Sequence, residues 1–236
     1  MRLYVIRHGA TQGNRERRYV GRTDEEILES EKERLRQKIP YFPQMDMVFV
    51  SPYLRCRQTA EILFFHRLEE GFFDSQRGKL PELEMVSNPN VEIVEDLREM
   101  DFGAFEYRNY QELAGNSDYQ AFIDNGGTTG FPGGEDLGVF KERCCQAFLA
   151  CIRKASENRW QQIGFVVHGG TIMAVLEAFS DPPKDYYDCQ VGNGCGYIID
   201  LEIEREERDH VLLSHTKEKF LEDRENIKLK IKEEIR

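Results

Sequence analysis

Leu3-Tyr4-Val5-Ile6, running straight into Arg7-His8-Gly9-Ala10-Thr11 and on through Gly13 to Asn14, is the stretch from which the rest of the chain can be read. Four apolar residues in a row, bounded by a glycine-containing turn, form a short strand. The strand ends in an arginine and a histidine. A cation, a nitrogen nucleophile and free backbone N–H groups therefore gather around one point, which is a phosphate site with a reactive group inside it.

Working outward, strand and helix periods alternate as in an α/β protein. Residues 2 to 7 read as a strand, 25 to 38 as a charged helix, Met47-Val48-Phe49-Val50 as a second strand and about 53 to 66 as a helix. The segment from 67 to 90, with Gly71, Gly78, Pro81 and Pro89, reads as an irregular excursion before a strand near 91 to 95. Helical pieces between 108 and 125 lead through glycine-rich turns to a long helix from about 135 to 157. Ile163-Gly164-Phe165-Val166-Val167 then forms a strand opening onto a helix at about 170 to 179, and residues 196 to 203 and 210 to 214 alternate as the last strands. Each polar motif sits at or beyond the end of an apolar strand. In open α/β sheets that edge is where ligands bind, so residues distant in sequence converge there.

Four stretches, in order, resemble motifs of the histidine phosphatase superfamily, also called the phosphoglycerate mutase-like family. They are Arg7-His8-Gly9-x-Thr11-x-x-Asn14, Ser51-Pro52-Tyr53-Leu54-Arg55-Cys56-Arg57-Gln58-Thr59-Ala60, Leu97-Arg98-Glu99-Met100-Asp101-Phe102-Gly103 and Val166-Val167-His168-Gly169-Gly170. The resemblance spans roughly residues 1 to 201. It implies a three-layer α/β/α sandwich on a mostly parallel open sheet, in one domain over residues 1–236. It also implies that His8 attacks phosphorus and carries the phosphoryl group, and that Glu99 protonates the leaving alkoxide and later activates water.

The chemistry suits those residues. A phosphomonoester is a dianion, so positioning and electrostatic stabilisation supply most of its catalysis. Arg7 and Arg55 stay charged and can each hold two phosphate oxygens. His168 and Asn14 offer further donors, and Thr11 and Gly169 complete the expected substrate contacts. His8 must be neutral at its attacking nitrogen, with the other nitrogen donating to a backbone carbonyl. A partly desolvated Glu99 near a dianion has a raised pKa, as a general acid needs. Asp101 competes for that role but faces the other way in an extended segment. Arg57 reads as a helix-face ion pair, and His66, His210 and His215 as ordinary surface or packing residues.

Composition bounds the partners. At 236 residues with 40% hydrophobic content and no apolar run long enough for a bilayer, the chain suits one domain with a sizeable core. A net charge of −11 argues against nucleic acid and anionic membranes as partners, and local arginines must overcome it to bind the small phosphorylated metabolite that the resemblance implies. The six cysteines lack metal-ligand spacing, and a strand begins at once after Met1-Arg2 where an export signal would stand. They are expected as reduced thiols in a cytoplasm, with Cys56 a buried thiol facing the sheet. No metal and no cofactor is expected, since two arginines and two histidines already neutralise the phosphate.

Substrate choice is less legible. Gly133-Gly134-Glu135-Asp136 resembles the Gly-Glu-Ser element of the phosphatase branch, which includes α-ribazole phosphatases, with Asp136 in place of serine; the pair also suits helix capping. Besides Phe105, where the family often has Trp, two places depart from the family's pattern. Asp24 is followed by Glu25-Glu26-Ile27-Leu28-Glu29-Ser30 where Pro-Leu-Thr and a helix glycine are usual, and Tyr107 stands where a glycine commonly follows the glutamate matched by Glu106. A phosphatase of a small metabolite, with α-ribazole 5'-phosphate as one candidate, is favoured. A phosphoglycerate mutase is the alternative, set back because Arg108 is almost the only base between Glu99 and Lys141. A catalytically idle phospholigand-binding member is the third reading. Residues from about 216 to 236 are expected to form a charged helix with Phe220, Ile227, Ile231 and Ile235 as its apolar stripe. Oligomeric state stays open, a homodimer included.

Overall fold

The computed structural model describes residues 1–65, 89–127, 130–203 and 226–236. Among them a six-stranded sheet runs in the order β3-β2-β4-β1-β5-β6. Its strands are β1 (Arg2–Arg7), β2 (Met47–Val50), β3 (Asn90–Ile93), β4 (Gln162–Val167), β5 (Gly196–Ile203) and β6 (Ile227–Ile235). β3, β2, β4 and β1 are parallel neighbours, and β5 pairs antiparallel with both β1 and β6. The expected mostly parallel sheet is present, with β5 as its reversed strand.

Strand alternation builds the layers. Leu3 and Val5 face one core with Phe49 and Phe165, while Tyr4 and Ile6 face another with Val48 and Val50. The first core is covered by α5 (Leu137–Glu157), through Phe148 and Ile152, and by α6 (Gly169–Phe179), through Val175 and Phe179. The second is covered by α2 (Glu29–Arg36), through Leu35, and by α3 (Leu54–Phe64), through Ala60 and Leu63. Two short helices, α1 (Gln12–Arg15) and α4 (Ser117–Asp124), contribute no buried residue to either of these cores.

The C-terminal expectation is corrected. In place of the second half of the expected helix, Ile227–Ile235 is a strand paired with β5. The cause is visible in Ile227-Lys228-Leu229-Lys230-Ile231-Lys232, an apolar–basic alternation of period two that outweighs a sparse four-residue stripe. Ile227 and Leu229 are buried, and Lys230 reaches Glu202 of β5 at 2.7 Å. The first half of that helix, the strand at 210 to 214, most of the 67–90 excursion, and His66, His210 and His215 lie outside the described residues. The charged helix expected at 25 to 38 is shorter, Glu29–Arg36, and Asp136 rather than Glu135 starts α5.

Candidate active site

Strand register brings the two histidines together. β1 and β4 pair with Arg7 opposite Val167, so His8 and His168 are the next residues on adjacent parallel strands. The His8 N–H donates to the Val167 carbonyl at 3.0 Å, and the two rings meet edge to face with centroids 5.2 Å apart. On the next strand Ser51 follows Val50, which is level with Val166, and its Oγ lies 2.6 Å from His168 Nε2. Both histidines are buried, and burial, followed by the field of Arg55, holds each well below the ordinary histidine pKa. They are neutral imidazoles. His8 Nδ1 lies 2.8 Å from the Gly9 carbonyl, and since a carbonyl only accepts, the ring proton sits on Nδ1 and Nε2 keeps its lone pair.

Two guanidiniums flank this pair. Arg55, in the first turn of α3, is fully buried, yet among the described residues it has no carboxylate partner: its Nη1 and Nη2 donate to the Thr23 and Gly21 carbonyls, both at 2.8 Å. The Tyr53 ring lies 4.4 Å below its carbon. Arg7 Nη1 donates to the Val191 carbonyl at 2.8 Å. The Nε atoms of both arginines are buried without a hydrogen-bond partner. Orphaned buried donors on a permanent cation are costly in a resting protein and useful once an anion arrives.

Glu99 enters from a loop beyond β3. Arg143 of α5 fixes that loop by donating to the Asp96 and Arg98 carbonyls at 2.8 and 3.1 Å, while Glu135 grips its other face at 2.8 and 2.7 Å. Glu99 Oε1 accepts from the Met100 N–H at 3.0 Å, and burial raises its pKa above the usual carboxylate value. A Cβ at position 170 would come within 2.6 Å of that oxygen and 2.9 Å of the Phe140 ring, so glycine at the start of α6 leaves the carboxyl its room there.

The other expected site residues divide. Gly169 opens α6 against Arg7, where an added Cβ would sit 3.4 Å from the guanidinium carbon. Asn14 Oδ1 is occupied by the Thr11 N–H at 3.2 Å and Asn193 Nδ2 at 3.0 Å, so what it can still offer a ligand is its NH2 group. Thr11 is fully buried and caps α1, its Oγ accepting from the Asn14 N–H; the structure gives it a fold-building position. Asp136 likewise caps α5 by accepting from Gly138 and Val139, so the capping reading describes it. Asp101 accepts from the Gly103 N–H at 2.8 Å and lies 3.5 Å from Arg22. Arg57 is exposed on α3. Cys56 is buried, its thiol pushed up to about 12 by desolvation.

Sequence reasoning missed the supporting residues. Glu106 Oε1 accepts from the Gly21 N–H, the Thr23 N–H and the Thr23 hydroxyl at 3.1, 2.8 and 2.7 Å, and thus holds the segment whose carbonyls hold Arg55. Gly194 N–H donates to the carbonyls of Arg7 and His8, and Thr59 Oγ accepts from the Gly9 N–H at 2.9 Å. The Gly192-Asn193-Gly194 turn before an apolar strand was the available signal for the first of these contacts. The two departures from the family pattern meet each other: Tyr107 donates through its hydroxyl to Glu25 Oε1 at 2.7 Å, and that oxygen also accepts from the Gly13 N–H at 3.2 Å. Tyr107 has a φ of 59°, which explains why glycine is usual there.

Beside Arg7, Glu99 and the Gly169-Gly170 turn opens a cavity of about 650 Å³. Among the described residues no group of three or more His, Cys, Asp or Glu side chains is placed to hold a metal ion, and no helix is long and apolar enough to cross a membrane.

The chain matches the model of the histidine phosphatase superfamily, branch 1, over residues 3–70 and 82–214. Phosphoglycerate mutase-like protein 4 of Arabidopsis thaliana is 27% identical over 181 residues, covering 74% of this chain and 69% of its own. Adenosylcobalamin/alpha-ribazole phosphatase of Escherichia coli strain K12 is 25% identical over 206 residues, covering 85% and 90%. The crystal structure of the alpha-ribazole phosphatase from Shigella flexneri aligns with a TM-score of 0.65 at 25% identity, over 85% of this chain and 90% of its own. A match over most of the length, on a fold that brings the motif histidines side by side, means that this chain belongs to the histidine phosphatase superfamily, branch 1.

Proposed function

We propose that the protein hydrolyses phosphomonoesters of a small metabolite through a phosphohistidine on His8. The observation that carries this reading is the tautomer: Nδ1 is committed to the Gly9 carbonyl, and a neutral Nε2 is left beside two guanidiniums whose buried Nε donors are orphaned among the described residues. In the first step the Nε2 lone pair forms a bond to phosphorus as the P–O bond to the alcohol breaks. Glu99, whose pKa is raised by desolvation as a general acid needs, gives its proton to the departing oxygen. In the second step the Glu99 carboxylate takes a proton from water, whose oxygen displaces His8 Nε2 from phosphorus and releases inorganic phosphate. Arg7, Arg55 and the Asn14 amide hold the non-bridging oxygens throughout. His168 Nε2 lies 2.6 Å from the Ser51 hydroxyl, and with that hydroxyl as the donor the ring's proton sits on Nδ1 as a further donor to phosphate.

These groups supply the charge a phosphoryl transfer needs, and the reading therefore expects turnover to survive EDTA. It places the enzyme in a reducing cytoplasm, where its cysteines remain thiols. The name of the Escherichia coli relative makes α-ribazole 5'-phosphate a first substrate to try. Rapid quenching without acid after mixing with substrate should show an acid-labile, base-stable phosphoryl group on the peptide holding residues 3 to 15. Label on a serine or cysteine instead would falsify the mechanism.

A further inference from the structure

The cavity that opens from the reacting groups is walled by rings. Phe102, Phe122, Phe131 and Tyr19 line it as one cluster, with Phe102–Phe131 and Phe122–Phe131 centroids 4.9 Å apart and Tyr19–Phe102 5.2 Å. Tyr186 and Tyr187, from the segment after α6, add a second pair 5.1 Å apart. The Tyr187 hydroxyl lies 3.5 Å from the Gly127 carbonyl, so the two walls touch. Among the described lining residues the charged side chains are Arg7, already at the phosphoryl end, and Glu99. Lys141, which lies over the Tyr186 ring at 4.3 Å, is paired with Glu177 at 2.7 Å.

We infer that the substrate's alcohol carries an uncharged aromatic or similarly flat apolar group and no second anionic group; this rests on the phosphohydrolase reading above. A second carboxylate or phosphate would lose its hydration in this cavity and find no free cation among the described lining residues, with Glu99 as its charged neighbour. A flat ring instead removes apolar area from water and packs edge or face against rings already spaced for such contacts. The volume of about 650 Å³ exceeds what a glycerate moiety fills. Tyr187 and Ile123 line the cavity while 51% and 49% exposed, so each still has apolar surface that a ligand can cover.

The test compares kcat/KM for 2-phenylethyl and 2-(2-naphthyl)ethyl phosphate with glycerol 1-phosphate and 3-phosphoglycerate. All are primary alkyl esters, so leaving-group basicity does not set their order. The aryl-bearing esters are expected to exceed glycerol 1-phosphate by about a hundredfold, as burial of one ring suggests, and 3-phosphoglycerate by more. Phe122→Ala should narrow the first ratio by about tenfold, and an unchanged ratio in the folded variant overturns the assignment of this wall. Ratios near unity, or a preference for 3-phosphoglycerate, with His8 still phosphorylated by each ester, overturn the inference and leave the phosphohistidine intact. Failure of every ester to turn over or to label His8 overturns both.

Discussion

The floor of the cleft and its walls are built on different plans. On the floor, His8, His168 and Ser51 follow directly from paired strands, and their backbones are tied by ladder hydrogen bonds. On the walls, Phe102, Phe122, Phe131 and Tyr187 come from short helices and turns outside the sheet, joined chiefly by ring contacts. Bond-making chemistry needs atoms placed to a fraction of an ångström, which a sheet edge provides. Recognition of an apolar group needs area and shape, and scattered side chains can supply that with many different sequences. The floor should therefore respond steeply to single substitutions and the walls gradually.

The sharpest test of that contrast is His8→Ala, which should cut turnover of an alkyl phosphate by at least about 10⁴-fold, because it removes the Nε2 lone pair that attacks phosphorus in the proposed reaction. A residual rate within tenfold of wild type would break the comparison at its centre. Next comes Glu99→Gln. Single-turnover phosphorylation of His8 by an alkyl ester should slow by about 10²-fold, and by a nitrophenyl ester far less, since an aryl oxide leaves with little protonation. If the alkyl rate is unchanged, the acid is another group, with Asp101 the next candidate.

Glu106 probes how far the rigid floor extends. Glu106→Ala releases the Gly21–Thr23 segment that holds Arg55, and kcat should fall about tenfold with a smaller change in KM, because misplacing the guanidinium weakens its grip on the transition state. Glu106→Gln keeps an acceptor oxygen and should recover most of the loss. Equal effects of the two substitutions would make Glu106 a packing residue only.

The smallest expected effect is thermodynamic. The folded pKa of Glu99 lies above its unfolded value, so the folded state binds more protons, and stability declines as pH rises through the interval between the two values. Glu99→Gln removes that loss. Its Tm should exceed that of the wild type near neutral pH, and the gap should close as pH falls below the ordinary glutamate range. A gap independent of pH would show that the carboxyl is not held protonated by burial.

Much of the floor is legible in the chain's local patterns. Arg7, His8, Arg55, Glu99 and His168 each lie at or beyond the end of a strand, and parallel pairing has to bring such strand ends to one edge. Thr11 and Asp136 stand in equally suggestive places and instead start helices, because a short polar side chain before a helix serves backbone N–H groups and ligand oxygens with the same atoms. The last strand departs from expectation for a physical reason. Its residues carry both a sparse four-residue apolar spacing and a lysine–apolar alternation, and whether the alternation becomes a sheet edge depends on β5 being free to pair.

By itself, then, the sequence determined the reacting groups, the strand–helix alternation and the family, because all three are written in residues close together along the chain. Only the tertiary structure decided which of them touch. It set the register that places His168 against His8, the glycine that admits Glu99, the carbonyl pair that holds a buried Arg55 and the rings that enclose the cavity. These contacts join residues from 32 positions apart, Arg55 to Thr23, to 160 apart, His8 to His168, and no local pattern encodes them: their energy exists only once the core has closed.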